Sequence, residues 1–228
     1  MSATTDSQWH ELKAEIERVV SLEPIEIELG NRLFLWYRVT NPDDLLQAAL
    51  DSDAPPEEVD PFWAATWRAA RGLDSFLSRY DCRGLRVLEL GCGSGQAGTG
   101  AAARGAEVVM TDAVQLALQV ARLNAWPVAH RIQFQKLRWT VDKLTCEPFP
   151  LIIGSDLVYD PNLFPMLDQC AREHLAEGGT LLLSEPHRHT GDKFSKWIEQ
   201  AGWNKIEHDV DLCDDRVPIR IFELTLPG

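Results

Sequence analysis

The sequence is poor in cysteine, in basic charge and in long apolar runs, and each shortage excludes something. Its five cysteines, Cys82, Cys92, Cys146, Cys170 and Cys213, are dispersed, and no pair has CxxC spacing. An odd, scattered set argues against a disulfide framework and against a structural zinc site, so no metal is expected. No run approaches the roughly 18 uninterrupted apolar residues that a membrane span needs, so no membrane association is expected. The opening stretch MSATTDSQWHELKAEIERVV is polar and acidic. It has neither the apolar centre of a secretory signal nor the arginines of a transit peptide, and a cytoplasmic location is expected. Lysine and arginine number 22 against 35 acidic residues, a net charge of −13. That balance repels a phosphate backbone, so nucleic acid is not expected as a partner. It attracts basic proteins or peptides, or simply confers solubility.

What is present is an ordinary globular composition, 45% hydrophobic and 25% charged over 228 residues. The length suits one domain with an extension, and a monomer is expected over an obligate oligomer. Residues 1–60 form the predicted N-terminal extension. A helical stripe (Leu12, Ile16, Val19, Val20) comes first, followed by two β-favouring runs around Gly30-Asn31 that predict a hairpin. Asn41-Pro-Asp-Asp then predicts a helix through Leu50, and Asp51–Asp60 an acidic, proline-containing loop.

From residue 61 the pattern becomes regular. Predicted helices cover Phe62–Tyr80, the Ala-rich stretch to Arg104, Ala113–Asn124, Pro161–Leu175 and Gly191–Ala201. Predicted strands cover Leu85–Leu90, Glu107–Thr111, Ile132–Gln135, Pro150–Ser155 and Thr180–Ser184, with two more near Trp203–His208 and Pro218–Leu226. Such alternation means parallel βαβ units, hence an α/β, doubly wound, mostly parallel sheet over residues 61–228. The loop between the last two strands is too short for a crossover helix, so those strands should pair as an antiparallel hairpin.

The chemistry concentrates where strands end. Val87-Leu88-Glu89-Leu90 runs into Gly91-Cys-Gly93-Ser94-Gly95-Gln-Ala-Gly98. Glycines there let backbone approach a ligand, and the next helix presents its N-terminus. Asp112 ends the second strand, where a carboxylate can grip a ribose diol. Gly93–Gly98 also matches the GxGxxG of nicotinamide-binding proteins, and an oxidoreductase is the alternative it raises. Against it, Glu89 would repel a pyrophosphate but suits the ammonium of a methionine moiety.

Val-Leu-Glu89-Leu-Gly91-Cys-Gly93-Ser94-Gly95 resembles motif I of the seven-strand class I methyltransferases, and Asp112 matches their ribose-binding acid. The resemblance covers about residues 62–226 and implies S-adenosylmethionine as cofactor, S-adenosylhomocysteine as product and an antiparallel hairpin closing the sheet. Three further pieces resemble the family 16 protein methyltransferases: Trp67-Arg-Ala-Ala, Leu137-Arg-Trp139, and Asp156-Leu-Val-Tyr159 as the subgroup's Asp-x-x-Tyr. Members of that family modify lysines on chaperones, ATPases, calmodulin, translation factors and electron-transfer flavoprotein. Pro61-Phe-Trp63-Ala-Ala-Thr-Trp67 is similar to its flavoprotein- and ribosome-modifying branches, while Thr140 departs from the glycine often found after the second tryptophan.

The resemblance thus implies Trp67, Glu89, Gly91, Gly93, Ser94, Gly95, Asp112, Trp139 and Ser155 as cofactor-binding residues, with Asp156 and Tyr159 catalytic. The expected activity is N-methylation of a protein side chain, lysine before arginine or histidine, with a small-molecule amine as the other acceptor class. Presenting a lysine neutral at pH 7 costs about 4–5 kcal/mol from its ordinary pKa. Because a carboxylate raises a neighbouring amine's pKa, Asp156 suits positioning better than proton removal. His187 and His189, in Pro186-His-Arg-His189, border the same mouth and are expected to be plain loop residues.

Overall fold

Apolar strands alternating with helices do assemble one seven-stranded sheet in the computed structural model, which describes residues 3–40, 42–53 and 59–228. The strands are β3 (Arg86–Leu90), β4 (Glu107–Asp112), β5 (Ile132–Lys136), β6 (Phe149–Ser155), β7 (Leu175–Glu185), β8 (Asn204–Val210) and β9 (Ile219–Thr225). Their order is β5-β4-β3-β6-β7-β9-β8. The first five are parallel, and β9 runs antiparallel to both β7 and β8. The predicted closing hairpin therefore forms, with its second strand inserted beside β7. From β3 the chain winds outward through β4 and β5, then returns to β6 on β3's other side. That reversal is the switch point at which open α/β sheets hold ligands.

Alternating side chains supply two cores. On one face Val87, Met110 and Ile153 pack with α3 (Arg68–Leu77), α4 (Gln96–Ala103) and α5 (Gln115–Asn124). On the other, Leu88, Leu90 and Ile152 pack with α6 (Phe164–His174) and α7 (His189–Gln200).

The N-terminal segment forms α1 (Ala3–Ile16), β1 (Leu22–Leu29), β2 (Arg32–Val39) and α2 (Pro42–Leu50). Strands β1 and β2 pair antiparallel along their whole length about Gly30 and Asn31. Both turn residues take positive φ (58° and 61°), as a two-residue hairpin turn requires. The hairpin's inner residues Leu29, Phe34 and Trp36 enter the first core. Asn124 fastens it further: its side chain accepts from Tyr37 N–H (2.8 Å) and donates to Ser94 C=O (3.3 Å), tying the hairpin to the glycine loop. Asn41 and residues 54–58 of the acidic loop lie outside the described residues.

Several predicted boundaries move. The single helix expected over Phe62–Tyr80 is a 3₁₀ turn (Pro61–Ala64), an extended link and then α3. Asp60 caps the turn by accepting from Phe62 N–H (2.8 Å), and Trp67, in extended conformation, donates its indole N–H to Phe62 C=O (2.9 Å). Those two bonds hold a break that apolar spacing alone does not show. The helix expected from Pro161 likewise begins as a 3₁₀ turn, Pro161–Leu163, before α6. Strand β7 is longer than Thr180–Ser184, because Leu175 pairs with Phe149 before the ladder shifts register.

Candidate active site

The glycine loop owes its path to positive backbone angles: φ is 58° at Gly91 and 52° at Gly93. A side chain is also sterically excluded there. A Cβ on Gly91 would stand 2.7 Å from Leu157 Cδ2, and one on Gly93 would stand 3.3 Å from Trp63 C=O. Asp112, from the end of β4, ties the loop down. Its Oδ2 accepts from Gly93 N–H and its Oδ1 from Val114 N–H, both at 2.9 Å. Burial pushes its carboxyl up to about 6; the Val114 and Gly93 amides pull the other way, and Asp60 pushes it further up.

Glu89 lies elsewhere. It is 1% exposed, beneath the loop and facing Gly98 near the N-terminus of α4. Neither oxygen completes an aligned hydrogen bond. Burial pushes its carboxyl up to about 8; the Gly98 N–H opposes this and Asp112 adds to it. From this place the Glu89 carboxyl faces the helix terminus that carries the loop.

The opposite wall comes from the end of β6. Asp156 takes a left-handed conformation (φ 55°) and donates its N–H to Ser184 C=O (2.7 Å). Its carboxylate is 6% exposed and accepts two bonds from Arg188, from Nε at 3.0 Å and Nη2 at 2.7 Å. The Arg188 guanidinium also lies 5.4 Å from the Trp67 ring centroid, a cation–π distance. Tyr159 donates its hydroxyl to Asp60 Oδ2 (2.9 Å) and meets the Phe62 ring edge-on. Burial and then Asp60 hold that hydroxyl well above the ordinary tyrosine range, so it stays protonated.

Between these walls lies a cavity of about 800 Å³. Trp67, Gly91, Gly93, Ser94, Asp112, Trp139, Ser155, Asp156 and Tyr159 line it, whereas Glu89 and Gly95 do not. Three residues that mattered were not singled out in the sequence. Asp60 closes the acidic loop, Phe62 falls where apolar spacing predicts a helix, and Arg188 sits between His187 and His189. The histidine motif held the signal: His187 turns away to Asp209 (2.9 Å), and Arg188 reaches Asp156. Thr140 has φ 68°, so the turn after Trp139 needs a left-handed residue.

The residues present fit S-adenosylmethionine. The volume suits a nucleoside joined to an amino acid, the loop offers backbone with no side chain in the way, Asp112 offers a carboxylate, and Trp67 and Trp139 offer aromatic surface. Among the described residues no group of three metal-ligating side chains comes together, and no helix is long and apolar enough to cross a membrane.

Residues 60–201 match the model of a family described as lysine methyltransferase. Among curated proteins the chain is 37% identical over 129 residues to protein N-lysine methyltransferase METTL21A of Danio rerio, covering 53% of this chain and 58% of that protein. It is 32% identical over 136 residues to the electron transfer flavoprotein beta subunit lysine methyltransferase of Xenopus laevis, covering 57% of this chain and 54% of that protein. The chain thus spans a little over half the length of these relatives. Among solved structures, the glycopeptide N-methyltransferase MtfA complexed with S-adenosyl-L-methionine superposes with a TM-score of 0.60 at 15% identity, covering 70% of this chain and 94% of that one. That likeness shows the shared fold.

Proposed function

The chain belongs to this lysine methyltransferase family, and on that premise we propose that it transfers a methyl group from S-adenosylmethionine to a protein side-chain nitrogen, lysine before any other. One observation carries the reading: a single cavity joins the glycine loop and Asp112 to the Asp156–Tyr159 wall. When bound, S-adenosylmethionine supplies a sulfonium methyl carbon, which a neutral amine takes in line. The N–C bond forms as the C–S bond breaks, and the amine's surplus proton goes to solvent.

The remaining work belongs to the chain. The Gly91–Ser94 backbone and Asp112 hold the nucleoside end, with Trp67 and Trp139 as aromatic walls. Tyr159 has committed its hydroxyl hydrogen to Asp60, so its oxygen is left as an acceptor. Asp156 presents a second acceptor. Two acceptors converging on one amine fix two of its N–H bonds and thereby aim the lone pair, a proximity effect rather than strong base catalysis. Asp60, Asp112, Asp156 and Asp160 all border the cavity, and this acidic rim on a chain of net charge −13 favours a basic protein surface as substrate.

The test is to incubate the protein with methyl-labelled S-adenosylmethionine and cell lysate, then hydrolyse the labelled protein and separate its amino acids. Label in methyl-lysine is expected. Label confined to small molecules, or to arginine or histidine, would overturn the lysine assignment.

A further inference from the structure

Asp156 raises a difficulty for lysine methylation. A carboxylate beside an amine holds the proton on that amine, and the reaction needs the proton gone. The structure surrounds Asp156 with an answer. Arg188 engages it through two parallel hydrogen bonds, the fork geometry that delivers charge and direction together. Arg188 is itself fixed: its backbone N–H donates to Glu185 (2.6 Å), and its guanidinium lies over Trp67. Glu185 is in turn paired with Arg220 at 2.9 Å. On the cavity side the charged or titratable groups facing the same space are Asp60, Cys92, Asp112, Arg138, Tyr159 and Asp160, with Arg138 paired to Asp142. Arg188 is the cation that touches Asp156 from the β7–α7 loop, and it does not itself line the cavity.

We propose that Arg188 is a positioning residue that makes Asp156 a charge-compensated hydrogen-bond acceptor, so that an incoming amine is oriented by the carboxylate without being held in its protonated form. The inference rests on the proposed function. Paired with Arg188, the carboxylate keeps its lone pairs, while its field at the acceptor position is largely cancelled. The pair also links the two walls, since the cation that neutralises Asp156 covers the face of Trp67.

The experiment compares two cofactor-site ligands by calorimetry at neutral pH and needs no acceptor. S-Adenosylhomocysteine has a neutral sulfur at the transfer position; sinefungin carries a primary ammonium there. The affinity ratio between them therefore reads the electrostatic potential at that point. Arg188→Gln should raise the preference for sinefungin about tenfold, because the Asp156 charge is exposed to it. Asp156→Asn should lower it about tenfold, because Arg188 is then uncompensated. Arg188→Lys should leave the ratio within about threefold of wild type, since the charge is kept and only the fork is lost.

A merely structural role for Arg188 would weaken both ligands alike and leave the ratio unmoved. An unchanged ratio in Arg188→Gln overturns the inference, as does an unchanged ratio in Asp156→Asn should the arginine variant fail to fold. Failure of wild type to bind either ligand overturns the functional reading itself, a different result from binding with an insensitive ratio.

Discussion

The two walls of the cavity are built in different ways. The wall proposed for the cofactor is mostly backbone: Gly91, Gly93 and Ser94 form one short turn, and Asp112 pins it through the Gly93 amide while its other oxygen takes the Val114 amide. The wall proposed for the acceptor is mostly side chain, and its parts come from far apart. Asp156 is held by Arg188, 32 positions along the chain, and Tyr159 by Asp60, 99 positions before it. A wall made of backbone offers every ligand of one kind the same surface. A wall made of side-chain pairs can change with the acceptor while the sheet beneath it stays the same. The division of labour we propose is binding on one side and orientation on the other, and it can be broken experimentally.

The largest expected effect lies under the cofactor wall. The Glu89 carboxyl is pushed up by burial from its ordinary value to about 8. A raised acid binds more protons folded than unfolded, so stability falls as pH rises from about 4.5 and the loss is complete above about 8. Glu89→Gln removes the charge. Its advantage over wild type in unfolding free energy should grow between those limits by on the order of 4 kcal/mol, measured by urea melts without ligand at several pH values. A flat difference would mean that Glu89 is ionised and paired.

Next is the pin itself. Asp112→Ala loses two hydrogen bonds to a charged acceptor as well as the proposed ribose contact. S-Adenosylhomocysteine affinity should drop about a hundredfold or more by calorimetry. Near-normal affinity would remove Asp112 from the binding wall. Asp156→Asn and Tyr159→Phe sharpen the contrast from the other side. Turnover on a methylated protein should fall about thirtyfold and tenfold respectively, with S-adenosylhomocysteine affinity within about threefold of wild type. If either variant lost cofactor as severely as Asp112→Ala, the two walls would not be separable. The smallest effect is expected at Trp139, half-buried against the second core. Trp139→Phe keeps an aromatic face and should weaken S-adenosylhomocysteine by only about threefold.

The same contrast explains what was legible in the sequence. Glycine spacing after an apolar strand and an acid at the end of the next strand are local signals, and most of the residues they pick out line the cavity. Strand alternation gave the doubly wound sheet, and the short final loop gave the antiparallel hairpin. Glu89 does not line the cavity, because a carboxylate at a strand end has two sides to face and only packing against Gly98 decides which. The acceptor wall was half legible. Asp156 and Tyr159 share one motif, but their partners Arg188 and Asp60 are joined to them only by tertiary structure. The break at Trp67 was hidden for a related reason: apolar spacing over residues 62–80 suits a helix, and the cap at Asp60 and the indole bond to Phe62 override it.

The most direct test of the account is calorimetric titration of the purified protein with S-adenosylhomocysteine, with NAD as the matched control. Micromolar binding of S-adenosylhomocysteine is expected, and none of NAD. Binding of NAD, or no binding of S-adenosylhomocysteine, would contradict it, and the glycine loop would then have to be understood through its GxGxxG spacing as a dinucleotide site.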